Sequence, residues 1–230
     1  MEKKPQLSPW YMLLLFLGTI FFSLIYYFLG RVFSKNPLSY YQYFVFTCVL
    51  AIVIVGGYQI FFWIQRHNYY FTTRCLKCKL DDYIPFLPEV VWIYSFSYYI
   101  LIGLVVVSIP SIEQGIIYIF GGLLLLFFQS IFFLIFPCVV PKKWRDYQHD
   151  SISTKLLRFV QGYDNGRNCF PSMHCSVATY AGLILVPVFS YYAWALITLV
   201  AISCLFVKQH QIADIAPGIL LGALVHALIL

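Results

Sequence analysis

A histidine and an aspartate near the C-terminal end of the chain have the types and the spacing of a catalytic pair. His210 and Asp214 are four residues apart, so on a helix they would lie on one face. A carboxylate that holds one imidazole nitrogen fixes the tautomer and leaves the other nitrogen free as a nucleophile. Asp214 lies within an apolar run, where a carboxylate requires a partner or a function. A nucleophilic histidine is one interpretation of this pair, and a structural ion pair is the other.

A second histidine lies in the first turn of another predicted helix. Pro171 suits that turn because its missing N–H would have no partner there. The remaining free N–H groups and the Ser172 hydroxyl would form an anion site, and His174 would project from the same turn. On this segment alone, a histidine with no chemical role is the simpler interpretation.

Three cations follow directly after two prolines, Pro137 and Pro141. Lys142, Lys143 and Arg145 could neutralise phosphate oxygens as charge shifts during a transfer reaction. Alone, these three cations would suit a membrane anchor equally well.

The cysteines offer weaker signals than the histidines. Cys75 and Cys78 form an isolated Cys-x-x-Cys without a second pair, which is a weak indication of a zinc or redox site. The total of seven cysteines is odd and does not support a disulfide framework. Four cysteines lie in or beside apolar segments, where they are predicted to behave as small hydrophobic residues: Cys48, Cys138, Cys175 and Cys204.

The composition shows which elements must position these residues. Of the 230 residues, 61% are hydrophobic and only 10% are charged, whereas a soluble globular domain carries about 25% charged residues. Most of the apolar stretches approach or exceed the ~20 residues that span a bilayer as a helix. The prediction is an all-α, polytopic transmembrane bundle with six or seven spans, from apolar stretches at residues 10–30, 43–64, 88–109, 116–137, 176–189, 191–207 and 212–230.

Two tight turns predict that the chemistry lies at one membrane face. The turn at residues 111–115 would join two apolar segments as a hairpin, which places the hydrophilic loops 66–87 and 138–171 on the same side. The turn near Ser190 does the same for the next pair of segments. His174, His210 and the basic loop should therefore meet at that face.

The net charge of +6 does not indicate a nucleic-acid partner, because no soluble domain is left to bind one. The whole chain is predicted to be a single integral-membrane domain, residues 1–230, with variable N-terminal helices over residues 1–65 and a catalytic core over residues 81–222. The apolar run after Lys3 and Lys4 lacks a small-residue cleavage site, so we interpret it as a retained first helix.

Together these motifs resemble the type 2 phosphatidic acid phosphatase superfamily, the integral-membrane lipid phosphate phosphatases and their phosphotransferase relatives. The family pattern has a basic motif, then Pro-Ser-x-His, then a Ser-led motif that ends in His-x-x-x-Asp. Here these are Lys142/Lys143/Arg145, Pro171-Ser172-Met173-His174, and Ser203 through His210 to Asp214. The resemblance covers about residues 81–222 and extends to a bacterial subgroup related to inositol-phosphoceramide synthases.

The resemblance implies a role for each motif. His210 would attack phosphorus and form a phosphohistidine, and Asp214 would orient it. His174 would protonate the departing alkoxide and then activate water. The phosphate would be held by Lys142, Lys143, Arg145, Lys208, Ser172 and Ser203. Members of the family work without metal or other cofactors, and the carboxylates near the predicted site are too sparse for a two-metal centre.

Three departures from the family pattern leave the substrate less certain than the reaction. Cys204 replaces the arginine that usually follows the serine of the third motif, and Lys208 is our candidate replacement. The basic motif lacks the usual lysine-to-arginine spacing, so which cation of residues 142–145 reaches phosphate is open. Met173 replaces a smaller residue.

Three functions follow as alternatives. The first is hydrolysis of a lipid phosphate, either a phosphatidate-like monoester or a polyprenyl pyrophosphate. The second is transfer of a phospholipid headgroup to another alcohol, as in inositol-phosphoceramide synthases. The third is a non-catalytic lipid-binding or transport protein. The expected partners are an anionic phospholipid or isoprenoid phosphate and membrane lipids, and the sequence leaves the oligomeric state open.

The location of the active site rests on two conflicting signals. Seven spans would place thirteen of the fifteen lysines and arginines on the catalytic side, which the positive-inside rule assigns to the cytoplasm. The family normally faces away from the cytoplasm, and phosphate binding would explain cations near the site. We therefore predict a multi-pass protein of the cell inner membrane with an extracytoplasmic active site.

Overall fold

The computed structural model describes residues 9–34, 36–68, 70–148 and 151–230. Over these residues the chain forms eight α-helices and no β-strand. Each of the seven predicted apolar stretches forms a helix, which confirms the all-α bundle. The helices are α1 (Pro9–Phe33), α2 (Tyr40–His67), α3 (Val91–Val107), α4 (Ile112–Ile135), α5 (Ile152–Tyr163), α6 (Met173–Phe189), α7 (Tyr191–Phe206) and α8 (Ile212–Ile229).

Five helices in the described part of the chain are long and apolar enough to cross a membrane: α1, α2, α3 with the turn before it, α4 and α8. The apolar helices α6 and α7 are shorter, with 17 and 16 residues. Large apolar side chains on the outer faces, such as Phe28, Val32 and Ile52, are exposed to the surroundings and suit contact with lipid. The chain is therefore a multi-pass membrane protein, and the count of six or seven spans stays a prediction.

Helix α6 lies at the centre of the bundle and packs against α3, α7 and α8. The closest approach is between α6 and α8. A Cβ atom on Gly222 would lie 2.3 Å from the Ser176 carbonyl oxygen, and one on Gly218 would lie 2.6 Å from that of Ser172. Glycine is therefore required at these two positions for the backbones to touch. This contact fixes the first turn of α6 relative to the first turn of α8.

Serines form the turns that return the chain to the face with the long polar loops. Ser111 caps α4 by accepting a hydrogen bond from the Gln114 N–H at 3.3 Å. Ser190 joins α6 to α7 in a tight turn with a positive φ of 51°. Both turns lie opposite the long polar loops.

The two polar loops predicted to share a face are in direct contact. The Arg74 N–H donates to the Pro137 carbonyl at 2.9 Å, and the Val139 N–H donates back to the Arg74 carbonyl at 2.8 Å. The Val140 N–H donates to the Gly166 carbonyl at 3.1 Å. These backbone hydrogen bonds join the first loop, the basic motif and the segment before α6 into one unit.

Residues 138–171, which the sequence analysis treats as one hydrophilic loop, contain helix α5. A capping box of Ser151 and Thr154 starts this helix. Helix α5 is amphipathic, with Leu156, Val160 and Tyr163 on one side and Lys155 and Arg158 on the other. This composition suits a helix that lies along the membrane surface.

Candidate active site

His210 lies in the short loop between α7 and α8, held by the end of α7. The N–H groups of Gln209 and His210 both donate to the Cys204 carbonyl, at 3.2 and 3.3 Å. Lys208 directly precedes them with a positive φ of 56°, which reverses the chain. The imidazole of His210 is buried, with 6% of the residue exposed.

One nitrogen of His210 faces two acceptors. Its Nδ1 lies 3.0 Å from the Cys169 carbonyl oxygen and 3.4 Å from Oδ2 of Asp214. Because both groups accept hydrogen bonds, Nδ1 carries the proton in the neutral ring, an assignment that follows from the hydrogen-bond partners. The lone pair of Nε2 is then free for attack.

Asp214 connects His210 to the start of two helices. Its Oδ2 accepts a hydrogen bond from the Gln211 N–H at 2.8 Å, and its main-chain carbonyl accepts one from the Ser172 N–H at 3.0 Å. Oδ1 is buried and has no hydrogen-bond partner among the described residues. Burial lowers the pKa of His210, but the hydrogen bond and the charge of Asp214 outweigh it, so the pKa is raised above its ordinary value of 6.5.

His174 faces His210 from the first turn of α6. The two ring centroids are 5.9 Å apart and the rings are inclined by 67°. The His174 ring stacks on Tyr94 at 4.2 Å and meets the Tyr98 ring edge-on at 5.0 Å. Aromatic packing from α3 therefore holds the second histidine opposite the first.

The two predicted serine ligands of phosphate have other hydrogen-bond partners. The Ser172 hydroxyl caps α6 by accepting from the Cys175 N–H at 3.3 Å. The Ser203 hydroxyl donates to the Val200 carbonyl of its own helix at 2.7 Å. Both side chains are fully buried.

None of the three predicted lysines lines the cavity that contains His174 and His210. Lys142 and Lys143 are exposed, and Lys143 lies 3.6 Å from an oxygen of Asp82. Nζ of Lys208 donates to the Asp81 carbonyl at 2.7 Å and lies 4.9 Å from the centre of the Trp144 ring. Burial lowers the pKa of the Lys208 ammonium.

Arg145 contacts the loop that carries His210. Its guanidinium donates to Oδ2 of Asp164 at 3.4 Å and to Oε1 of Gln209 at 3.2 Å. Gln209 is the neighbour of His210 and lines the same cavity. Arg145 therefore reaches the site through Gln209.

A cavity of about 420 Å³ lies beside both histidines. Its walls are mainly aromatic, with side chains from α2, α3 and α5 that include Tyr58, Phe61, Tyr94, Tyr98, Phe159 and Tyr163. The hydroxyl of Tyr58 is hydrogen-bonded to those of Tyr98 and Tyr99. Of the lysines and arginines whose placement is described, Arg167 is the one that lines this cavity.

Arg167, Gln209 and the Cys169 carbonyl are parts of the site that the sequence motifs did not indicate. The one available signal for Arg167 was its position directly before the Asn168–His174 segment. Its main-chain carbonyl accepts a hydrogen bond from Gln65 of α2 at 2.9 Å, which fixes its backbone at the cavity. The Cys169 carbonyl could not be predicted because it depends on the path of the backbone.

A second, apolar cavity of about 180 Å³ lies between α2, α3, α4 and α6. Its walls share Tyr58, Tyr98 and Met173 with the cavity at the histidines. Met173, which replaces a smaller residue of the family pattern, thus lies where the two cavities meet.

Side chains that could bind a metal ion also occur at the site. One ligand atom from each of His174, Cys204 and His210 lies within 4.8 Å of the others. Cys204 is fully buried at the end of α7.

Comparison with known proteins identifies one family. The family model described as the PAP2 superfamily matches residues 110–230, which include α4 to α8 and both histidines. Comparisons with curated proteins and with solved structures give no significant match.

Proposed function

Because this chain belongs to the PAP2 superfamily, we propose that it is a membrane-integral phosphatase that hydrolyses a lipid phosphate through a phosphohistidine intermediate. Membership supports a phosphatase-type activity on lipid phosphates in general. The observation that carries the finer proposal is the pair of facing histidines at one cavity, with Nδ1 of His210 held by the Cys169 carbonyl and Asp214.

In the first step, His210 is the nucleophile. Its Nε2 forms a bond to phosphorus while the bond from phosphorus to the lipid oxygen breaks. Protonated His174 gives its proton to the departing alkoxide, which leaves as an alcohol. The Cys169 carbonyl and Asp214 stabilise the cationic ring that forms at His210 during attack.

In the second step, water releases the phosphate. Neutral His174 takes a proton from a water molecule, whose oxygen forms a bond to phosphorus while the P–N bond to His210 breaks. Inorganic phosphate leaves, His210 returns to its neutral form, and His174 is protonated again for the next cycle. No step of this scheme uses a metal ion.

Arg167 is our candidate for the cation that holds the phosphate, because it lines the cavity. Arg145 would act through Gln209, to which it is hydrogen-bonded. The phosphate-binding roles of Lys142, Lys143, Lys208, Ser172 and Ser203 stay predictions, since their polar atoms are exposed or occupied by other partners.

A lipid substrate fits the walls of the two cavities. The phosphate would lie at the histidines, and the apolar cavity beyond Tyr58, Tyr98 and Met173 offers space for part of a chain. A phosphatidate-like monoester and a polyprenyl pyrophosphate both combine an anionic group with such a chain.

The charge of the cavity favours a second candidate function. A phosphate monoester carries about 1.5 to 2 negative charges near neutral pH, whereas a phosphodiester carries one. Arg167 is the one lysine or arginine lining the cavity among the described residues, which suits a diester. Headgroup transfer through the same phosphohistidine is therefore the alternative. A reaction with labelled lipid and candidate alcohols distinguishes the two functions, because transfer yields a new phosphodiester and hydrolysis yields free phosphate.

The main test is release of phosphate by the purified protein in detergent. We expect His210→Ala and His174→Ala each to abolish release. The wild type should form a phosphohistidine, stable to base but not to acid, that His210→Ala does not form. His226→Ala, in the last turns of α8 and outside the cavity, is the matched control and should retain activity. A His210→Ala variant with most of its activity would exclude this mechanism.

We also propose that the protein lies in the cell inner membrane with its active site outside the cytoplasm. Cys75 and Cys78 are exposed in the loop that contacts the catalytic unit, so they report on its side of the membrane. An impermeant thiol reagent should label them in intact spheroplasts. Labelling only after the membrane is opened would place the site in the cytoplasm.

A further inference from the structure

Cys204 lies beside the two histidines but has no role in the proposed mechanism. Composition predicts a small hydrophobic residue at this position, and its burial agrees with that prediction. Its thiol nevertheless lies close to both histidines. Sγ of Cys204, one ring nitrogen of His174 and one ring nitrogen of His210 are all within 4.8 Å of one another. Two imidazoles and a thiol form a donor set that binds Zn²⁺ strongly.

We propose that His174, Cys204 and His210 form an inhibitory site for Zn²⁺ or a similarly thiophilic divalent ion. The bond lengths of zinc to nitrogen and sulfur place tetrahedral ligand atoms about 3.3 to 3.6 Å apart. The ligand atoms, which lie within 4.8 Å of one another, therefore need to approach by up to roughly 1.2 to 1.5 Å, which requires the three side chains to rotate toward one another. Binding exchanges the thiol proton of Cys204 for the ion.

The three ligands come from different elements, which favours a closed arrangement. His174 is in the first turn of α6, Cys204 is in the last turn of α7, and His210 is in the loop before α8. Both histidines line the cavity, whereas Cys204 lies behind them. The fourth coordination position would thus face the cavity, where water or a phosphate oxygen can occupy it.

The residue that replaces the family's arginine determines whether a cation can bind. An arginine at position 204 would place a positive charge beside both histidines and repel a metal ion. Cys204 removes that charge and adds a thiol. Binding of a metal ion by these three residues therefore depends on the cysteine at position 204.

Occupation of the site would stop phosphoryl transfer, because the ion takes ring nitrogens from both histidines. Inhibition should be reversed by a chelator. This inference goes beyond the proposed function, since metal binding can be measured without any substrate.

The first experiment titrates the purified, metal-free protein with Co²⁺ and records absorption. We expect one equivalent to bind with a thiolate-to-cobalt charge-transfer band, which Cys204→Ser abolishes. Cys175→Ser is the matched control: this buried thiol lies beside Cys204 but outside the group of three, so the variant should keep the band. Absence of the band from the wild type, or its presence in Cys204→Ser, would overturn the proposal.

The second experiment measures Zn²⁺ inhibition of phosphate release. Cys204→Ser should retain activity without metal and require at least tenfold more Zn²⁺ for half inhibition than the wild type or Cys175→Ser. Equal sensitivity of all three proteins would contradict the proposal. If Cys204→Ser does not fold, X-ray absorption of the zinc-loaded wild type decides: one sulfur ligand at about 2.3 Å supports the site, and none or several exclude it.

Discussion

The two acceptors at Nδ1 of His210 have different consequences. The Cys169 carbonyl is a neutral group fixed by the backbone, so it selects the tautomer without a full charge. Asp214 adds a charge, which raises the pKa of His210 against the effect of burial. A raised pKa favours the protonated ring, and the neutral nucleophile is populated only above that pKa.

Asp214→Asn should therefore move the pH profile as well as lower the rate. In the wild type, kcat/KM should fall with decreasing pH through a pKa above 6.5, the ordinary value for histidine. The variant should shift this acidic limb to lower pH. Because Cys169 still fixes the tautomer, kcat should fall by roughly 100-fold, the lower end of acid–base contributions. A profile that keeps its position would remove Asp214 as the source of the shift.

Arg167 is the residue-scale test of how the phosphate is held. Arg167→Gln removes a charge-assisted hydrogen bond of about 1.5 to 3 kcal/mol, so kcat/KM should fall by roughly 10- to 100-fold. Lys155→Gln is the matched control, because it removes an exposed charge of α5 that does not line the cavity. Steady-state kinetics on one lipid phosphate compare the two variants. An equal loss of kcat/KM in both would show that the overall positive charge of this face matters, and not a contact of Arg167 with phosphate.

At the scale of elements, the contact between α6 and α8 sets the distance between the two catalytic turns. The backbones touch at Gly218 and Gly222, next to Ser172 and Ser176. Ser172 in turn donates its N–H to the Asp214 carbonyl. A change in this contact should therefore alter both the stability and the catalytic geometry.

Gly222→Ala and Gly122→Ala form a matched pair for this contact. The first places a Cβ 2.3 Å from the Ser176 carbonyl oxygen, which belongs to the backbone and cannot rotate away, whereas the second meets nothing within 4 Å. Overpacking should destabilise the Gly222→Ala variant by about 1 to 3 kcal/mol. Thermal unfolding in detergent should show a lower Tm for it and an unchanged or higher Tm for Gly122→Ala. A similar Tm for both would contradict the close packing.

The helices of the bundle could be predicted from sequence because their apolar runs are long and uninterrupted. Helix α5 was missed because Lys155, Arg158 and several polar residues give its segment the composition of a loop. The cations were identified by type, but the direction of a long side chain depends on its neighbours. Lys208 shows this, since its ammonium contacts Asp81 and Trp144 and not the cavity.

At the scale of the whole molecule, the site depends on a loop that carries none of the predicted catalytic residues. Asp81 lies between α2 and α3 and is almost fully buried. Its Oδ1 accepts from the Ile212 N–H and its Oδ2 from the Cys78 N–H, both at 2.8 Å, while its carbonyl accepts from Lys208. This aspartate joins the first polar loop to the start of α8 and to the loop that holds His210.

Asp81→Ala should therefore weaken the whole catalytic face, whereas Asp82→Ala should not. The first leaves two partly buried N–H groups without their acceptor, which costs at most about 1 to 3 kcal/mol each. Asp82 is exposed and pairs with Lys77 and Lys143, so its loss should change stability little. Two measurements compare the Asp81→Ala and Asp82→Ala variants. One is the rate of limited proteolysis between residues 70 and 87, and the other is phosphate release at a temperature below unfolding. Equal cleavage and equal activity would mean that the catalytic loop is positioned by its own helices alone.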